Sequence, residues 1–236
     1  MPVIVTGFNE TNSLKVFDGL LENYDGQIRF EGNFNSIEIE PLSSANRISI
    51  SVGDHCAIHI GEECKLGCID IYAQKGSKIH IGSRSSFTWQ TSIMAHESFD
   101  VTIGDNCLFA SETLITVSDM HPIFDRASGK RLNLGKSVSI GNNVWLGLGA
   151  TLMKGAAVGD GAVIAARSVV TGIVPEYCVA AGVPARVTRR NVEWRHDLNQ
   201  SHITPTLLPG CGETKGGLFS KLKSALLGSA TTSKAS

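Results

Sequence analysis

Between Leu134 and Pro175 a branched aliphatic returns at every sixth residue: Leu134, Ile140, Leu146, Leu152, Val158, Ile164 and Val170. Four places after each stands a small or β-branched residue: Val138, Val144, Ala150, Ala156, Ala162, Ser168 and Val174. The place directly after the aliphatic is mostly glycine or small (Gly135, Gly141, Gly147, Met153, Gly159, Ala165, Thr171). A period of six fits neither an amphipathic helix nor an alternating strand. Self-similarity at a fixed period is a solenoid signal and outranks local propensity. Each hexad supplies a short strand with one large and one small residue turned inward. A tight corner follows, where glycine tolerates the turn. Three such sides close a triangular coil of about eighteen residues, and coils stack at roughly the 4.8 Å strand spacing. The expected fold is all-β, with a core that is a narrow column.

The register weakens upstream. Residues 1–47 carry no clean hexad, although Ile28/Phe30 and Ile37/Ile39 alternate like short strands. They are expected to form an irregular cap over the open end, as repeat arrays need. Coils are expected from Ile48, where aliphatic–glycine pairs recur (Val52-Gly53, Ile60-Gly61, Ile81-Gly82, Ile103-Gly104) at spacings that require bulges. After Ser118 the pattern stops. The segment "DMHPIFDRASGKRLN", residues 119–133, has no period, and the hexads resume at Leu134. It reads as a loop extruded from the solenoid, and long loops inside compact repeats usually carry function.

The solenoid domain is placed at 48–190 and a C-terminal extension at 191–236. Asn191–Trp194 is expected to leave the solenoid as a helix, and Ser201–Gly217 reads as linker. "LFSKLKSALLG" puts Leu218, Phe219, Leu222 and Leu226 on one helical face. Such a helix can dock on its own or a neighbouring subunit, or make weak peripheral membrane contact. The final residues are low-complexity.

A net charge of −1 and 42% apolar residues give no bias towards nucleic acid. No apolar run is long enough to span a bilayer, and Met1–Asn12 lacks the pattern of a secretion signal. The expected location is cytoplasmic, peripheral at the inner membrane face if the extension binds there. Cys56, Cys64 and Cys107 fall at small interior places, as core fillers rather than disulfides or zinc ligands. No metal site is expected.

The run "IGNNVWLGLGATLMKGAAVGDGAVIAARSVVTGIVPEYCVAAGVPARV" resembles the hexapeptide-repeat acyltransferases, which fold as a left-handed parallel β-helix. Their hand opposes the usual crossover rule and is implied by the resemblance alone. Within that family the look is closest to the bacterial capsule and polysialic acid O-acetyltransferases. The resemblance implies acetyl-CoA as cosubstrate, a homotrimer with sites between subunits, and a carbohydrate hydroxyl as acceptor. The acceptor would belong to a surface polysaccharide such as a sialic acid polymer. A small sugar, nucleotide-sugar amine or antibiotic is the alternative acceptor, and a non-catalytic β-helix scaffold is the alternative of another class.

Acyl transfer to a hydroxyl needs a base near neutral pH, which imidazole supplies. His121 opens the extruded loop in "SDMHP", beside the stiffening Pro122. The resemblance implies the same residue as general base, with Asp119 as a candidate to orient it. His55, His59 and His80 occupy outward places, and His96 could line a groove. Trp145 stands outward at the end of its hexad, where an exposed indole should be covered. The resemblance gives it a part in the reaction, against subunit packing as the plainer reading. Ala166 and Thr171 match small positions along which the family lays the pantetheine arm. Arg186 and Arg189 match residues near the nucleotide phosphates, which suit a guanidinium fork. Arg126, Lys130 and Arg131 make the loop basic, which would favour an anionic acceptor.

Overall fold

The computed structural model describes residues 2–197. Its first coils contain β1 (Val3–Thr6), β2 (Ser13–Val16), the single helical turn α1 (Leu20–Asn23), β3 (Asp25–Phe30) and β4 (Ser36–Ile39). Next come β5 (Ser44–Val52), β6 (Ala57–Ile60), β7 (Lys65–Ala73) and β8 (Lys78–Ile81). Three-stranded coils follow. The first holds β9 (Ser86–Phe87), β10 (Thr91–Ala95) and β11 (Val101–Ile103); the second β12 (Leu108–Phe109), β13 (Leu114–Thr116) and β14 (Val138–Ile140). The last two hold β15 (Trp145–Leu146), β16 (Thr151–Leu152) and β17 (Ala157–Val158), then β18 (Val163–Ile164), β19 (Val169–Val170) and β20 (Ile173–Val174). β21 (Cys178–Gly182) and β22 (Ala185–Arg190) end the stack as an antiparallel pair.

The result is a parallel β-helix with three sides. Side one is an eight-stranded sheet in the order β2-β4-β6-β8-β11-β14-β17-β20. Side two stacks β9, β12, β15, β18 and β21, and side three stacks β10, β13, β16 and β19. β7 runs round the corner between them: Lys65 and Leu66 pair with β9, whereas Ile69–Ala73 pair with β10. Like residues stack on like down the core. Ile39, Ile60, Ile81, Ile103 and Ile140 form one buried file. On side two Phe87 and Phe109 stack face to face at 4.4 Å. Each such side chain stabilises the column by about 1.5–3 kcal/mol relative to exposure.

The glycine after each aliphatic has a steric cause. A Cβ on Gly104 would lie 2.5 Å from the Asn142 Oδ1 and 2.7 Å from the Gly141 carbonyl carbon. The acid or amide that follows ties coil to coil: Asp105 Oδ1 accepts from Ser83 N at 2.9 Å, and Asn142 Oδ1 from Asp105 N at 2.9 Å. These side chains are structural.

Three expectations need correction. Residues 1–47 are not an irregular cap, because β1 pairs in parallel with β3 and β3 with β5, while β2 pairs with β4 and β4 with β6. Hexads fail there because the coils are longer: bonded neighbours stand 23 residues apart at Asn12–Asn35, against 18 at Asn142–Asp160. The small interior place also turns polar, with buried Asn35 accepting from Cys56 N at 2.8 Å. Leu134, the first aliphatic of the register, is 58% exposed and belongs to the loop. The chain rejoins the coil where Lys136 N bonds Val117 O at 2.9 Å. Residues 191–194 form no helix, because Val192 N bonds Tyr177 O and Trp194 Nε1 bonds Asn143 O at 2.7 Å. The linker, the apolar helix and the low-complexity end expected of the extension lie outside the described residues.

Candidate active site

The loop leaves side three after β13, at the corner that leads to side one. It folds as a short hairpin: Leu132 N bonds Ile123 O, and Asp125 N bonds Lys130 O, both at 2.8 Å. Asn133 holds its base. The Oδ1 accepts from Ile123 N at 2.6 Å, while Nδ2 donates to His121 O at 2.8 Å and to Asp119 Oδ2 at 2.9 Å. Lys154 pairs with the Asp119 carboxylate and donates to Asn133 O at 3.2 Å. Register explains the reach of Lys154. Ile115 pairs with Leu152, which puts Lys154 beneath the point where the loop departs.

A second clamp is built on Glu97. It accepts from Ser118 Oγ at 2.5 Å and from Arg131 Nη2 at 2.8 Å. The hydrogen bond from Arg131, then that from Ser118, hold its carboxyl down at about 2. The Lys154 ammonium, with Asn133, likewise holds Asp119 below the usual carboxylate range. The depressed Glu97 value means its contribution is present above about pH 4.5 and is lost as pH falls through about 2. Glu97→Gln is therefore expected to lower Tm near neutrality, with the mutant and wild-type curves converging towards pH 2. Thermal melts across that range check this.

His121 is thus carried on an anchored backbone with its side chain exposed. The Oδ2 of Asp119, the residue expected to orient the imidazole, is shared by Lys154 and Asn133. Arg131 is engaged by Glu97, so only Arg126 and Lys130 remain as exposed loop cations. Asn133, Lys154, Glu97 and Ser118 escaped the reading of motifs. Counting the coil register forward from Ile115 would have found Lys154; nothing local marks Asn133.

Thr171 lies at the same corner, two coils on, since β13, β16 and β19 stack in order. It shares a cleft of about 200 Å³ with Arg186, Gly172 and Ile173. Arg186 and Arg189 stand three apart, which on a regular strand would put them on opposite faces. A register shift in the hairpin pairs them with Ala181 and Val179, two apart, so both face the same way. Ala166 sits exposed at the corner between sides two and three. Trp145, on side two, is 38% exposed and meets the ring of Trp194 at 5.9 Å. The chain therefore gathers Thr171 and Arg186 along one edge with the His121 loop, and leaves Ala166 and Trp145 round the prism.

His59, His80 and His96 serve elsewhere. His59 pairs with Glu40 at 3.1 Å and stacks on His80. His96 packs on Tyr72 at 4.9 Å, and burial lowers its pKa. Cys56, Cys64 and Cys107 are buried free thiols, the last two pushed up to about 11 by desolvation.

Residues 137–172 match the pattern of bacterial transferase hexapeptide repeats (six repeats). The crystal structure of the polySia specific acetyltransferase NeuO aligns with TM-score 0.71 and 32% identity, over 85% of this chain and 87% of that one. The chain belongs to the hexapeptide-repeat acetyltransferases, whose β-helix is left-handed. It is similar to the polysialic acid O-acetyltransferase of Escherichia coli O1:K1 / APEC, at 39% identity over 125 residues. That match covers 53% of this chain and 40% of the relative's length. The polysialic acid O-acetyltransferase OatWY shares the fold, with TM-score 0.68 at 23% identity over 85% of this chain and 93% of that one.

Proposed function

We propose that the protein moves an acetyl group from acetyl-CoA to a hydroxyl of a carbohydrate, in a surface polysaccharide such as a sialic acid polymer. The observation that carries this reading is the single edge on which an anchored histidine loop, Thr171 and Arg186 follow one another. The acceptor hydroxyl gives its proton to the His121 imidazole as its oxygen attacks the thioester carbonyl carbon. The tetrahedral oxyanion collapses, the C–S bond breaks, and CoA leaves as thiolate, to which His121 returns the proton. No acyl-enzyme forms. The Trp145 indole N–H is a single donor suited to the thioester carbonyl.

Two coils separate the loop from Thr171, about 10 Å at the strand spacing. The pantetheine arm follows that edge, with the nucleotide phosphates at Arg186 and Arg189. Trp145 and Ala166 face another way, so a second copy must bring them to the loop, which favours sites between the subunits of a homotrimer. With Arg131 engaged by Glu97, Arg126 and Lys130 are what the loop still offers an anionic acceptor.

Free thiol release from acetyl-CoA, measured over a panel of polysaccharides and their monomers, tests the reading. Release that depends on a polymer supports it. Equal release with every acceptor indicates hydrolysis, and none indicates a scaffold. Arg186→Ala with Arg189→Ala is expected to raise the KM for acetyl-CoA about tenfold or more, the loss of one charge-assisted contact being worth ~1.5–3 kcal/mol. Acetyl-pantetheine, which lacks the nucleotide phosphates, should show little change, and comparing the two donors checks where the arginines act.

A further inference from the structure

Beyond β22 the chain turns back along the corner that leads from side one to side two. Asn143, Gly161 and Tyr177 stand two residues before Trp145, Val163 and Val179, which pair in file, so the three stack at that corner in successive coils. Asn143 and Tyr177 hold left-handed φ angles of 52° and 50° there. Val192 N bonds Tyr177 O at 3.0 Å, and Trp194 Nε1 donates to Asn143 O at 2.7 Å. Residues 191–196 therefore form a strap that descends two coils, about 10 Å at the strand spacing. Trp194 anchors its far end. The residue is 8% exposed yet lies outside the hydrophobic core of the prism. Its ring neighbours are His196 at 4.7 Å and Trp145 at 5.9 Å, the latter tilted by 44°.

Both contacts act on one side chain. Trp194 bonds the carbonyl two residues before Trp145 and covers one flank of the Trp145 ring. Little else fixes that ring. β15 has two residues and turns only Trp145 outward, with the aliphatic Leu108 and Val163 as its neighbours in file. An indole in such a place can visit more than one staggered rotamer unless a partner selects one. The two indoles also divide the polar work. Trp194 spends its N–H on the chain, whereas the Trp145 N–H has no acceptor among the described residues and is left for a ligand. We infer that Trp194 is a positioning residue, which holds the Trp145 indole in the orientation that offers its N–H to the thioester carbonyl. The inference rests on the reading of Trp145 as a donor in the reaction. A donor already in place costs no reorganisation as charge builds on the oxygen, whereas one that swings among rotamers must be ordered at each turnover.

The test uses the full-length protein with acetyl-CoA and polysialic acid. Trp145→Phe is expected to lower kcat by about 10²–10³, the usual worth of an oxyanion donor. Trp194→Ala is expected to lower kcat about tenfold with both KM values unchanged, and Trp194→Phe, which keeps a ring face, should recover most of the loss. Trp194→Leu, which fills space without a ring face, repeats the measurement if the alanine variant melts early. Adding Trp194→Ala to Trp145→Phe should cost nothing further, because Trp194 acts only through the indole; independent effects would multiply instead. Labelling with 5-fluorotryptophan gives a fluorine signal for each of the three tryptophans. That of Trp145 should be single and sharp in the wild type, and in Trp194→Ala it should broaden or move towards its position in the unfolded chain. Wild-type kcat in a folded Trp194→Ala protein overturns the inference, as do losses that multiply in the double variant or a Trp145 signal indifferent to Trp194. Unchanged kcat in Trp145→Phe removes the donor and the inference with it. A wild-type protein that transfers no acetyl group sinks the acetyltransferase reading instead, and the fluorine spectrum, which needs no turnover, still decides whether Trp194 holds the ring.

Discussion

His121→Ala is expected to lower kcat/KM for acetyl transfer by about 10²–10⁴, the usual worth of a positioned general base. The side chain is exposed and the loop is fixed through backbone and neighbouring side chains, so the fold should be untouched. Tm and acetyl-CoA affinity are expected at wild-type values. Steady-state kinetics with acetyl-CoA and polysaccharide, beside calorimetry of acetyl-CoA alone, separate the two effects. Transfer that survives the substitution assigns the base elsewhere. A loss of acetyl-CoA affinity equal to the loss of rate would make His121 a binding group instead.

Asn133→Ala is expected to lower kcat by up to about 10², because small misplacement of a reacting group costs that much even when the mutation lies outside the chemistry. One side chain serves three partners: Ile123 N, His121 O and Asp119 Oδ2. Its removal leaves each to water and frees the hairpin. Asn133→Asp should do no better, since it sets a second carboxylate against Asp119. The global Tm should fall only modestly, because the coil closes beneath the loop through Lys136 N and Val117 O. Limited trypsin cleavage at Arg126 and Lys130 should accelerate in both variants, and that local readout separates a loosened loop from a damaged core. Wild-type kcat in Asn133→Ala would show that the two ion-paired clamps suffice.

The C-terminal coils were legible because their geometry is written at one interval. Ile140, Leu146, Leu152, Val158, Ile164 and Val170 all lie in the core, each at the expected place. The N-terminal coils were opaque for a physical reason. β5 and β7 run nine residues each round a corner that later coils break with a turn, which takes one residue out of that corner and erases the interval. Leu134 misled because an aliphatic in phase is not thereby in the core. The loop as an excursion was plain in the sequence. What holds it was not, because Glu97, Ser118, Asn133 and Lys154 come from three different coils and the loop itself, and only the lateral register brings them together.

The hydrogen bond from Lys136 to Val117 closes its coil across the root of the hairpin, and the stack passes underneath without interruption. Load-carrying and chemistry are thereby separated in one polypeptide. An excursion at such an edge could be shortened, lengthened or exchanged for another while the pillar beneath stays as it is. A lineage built this way can acquire new acceptors by rewriting a balcony and leaving the tower alone.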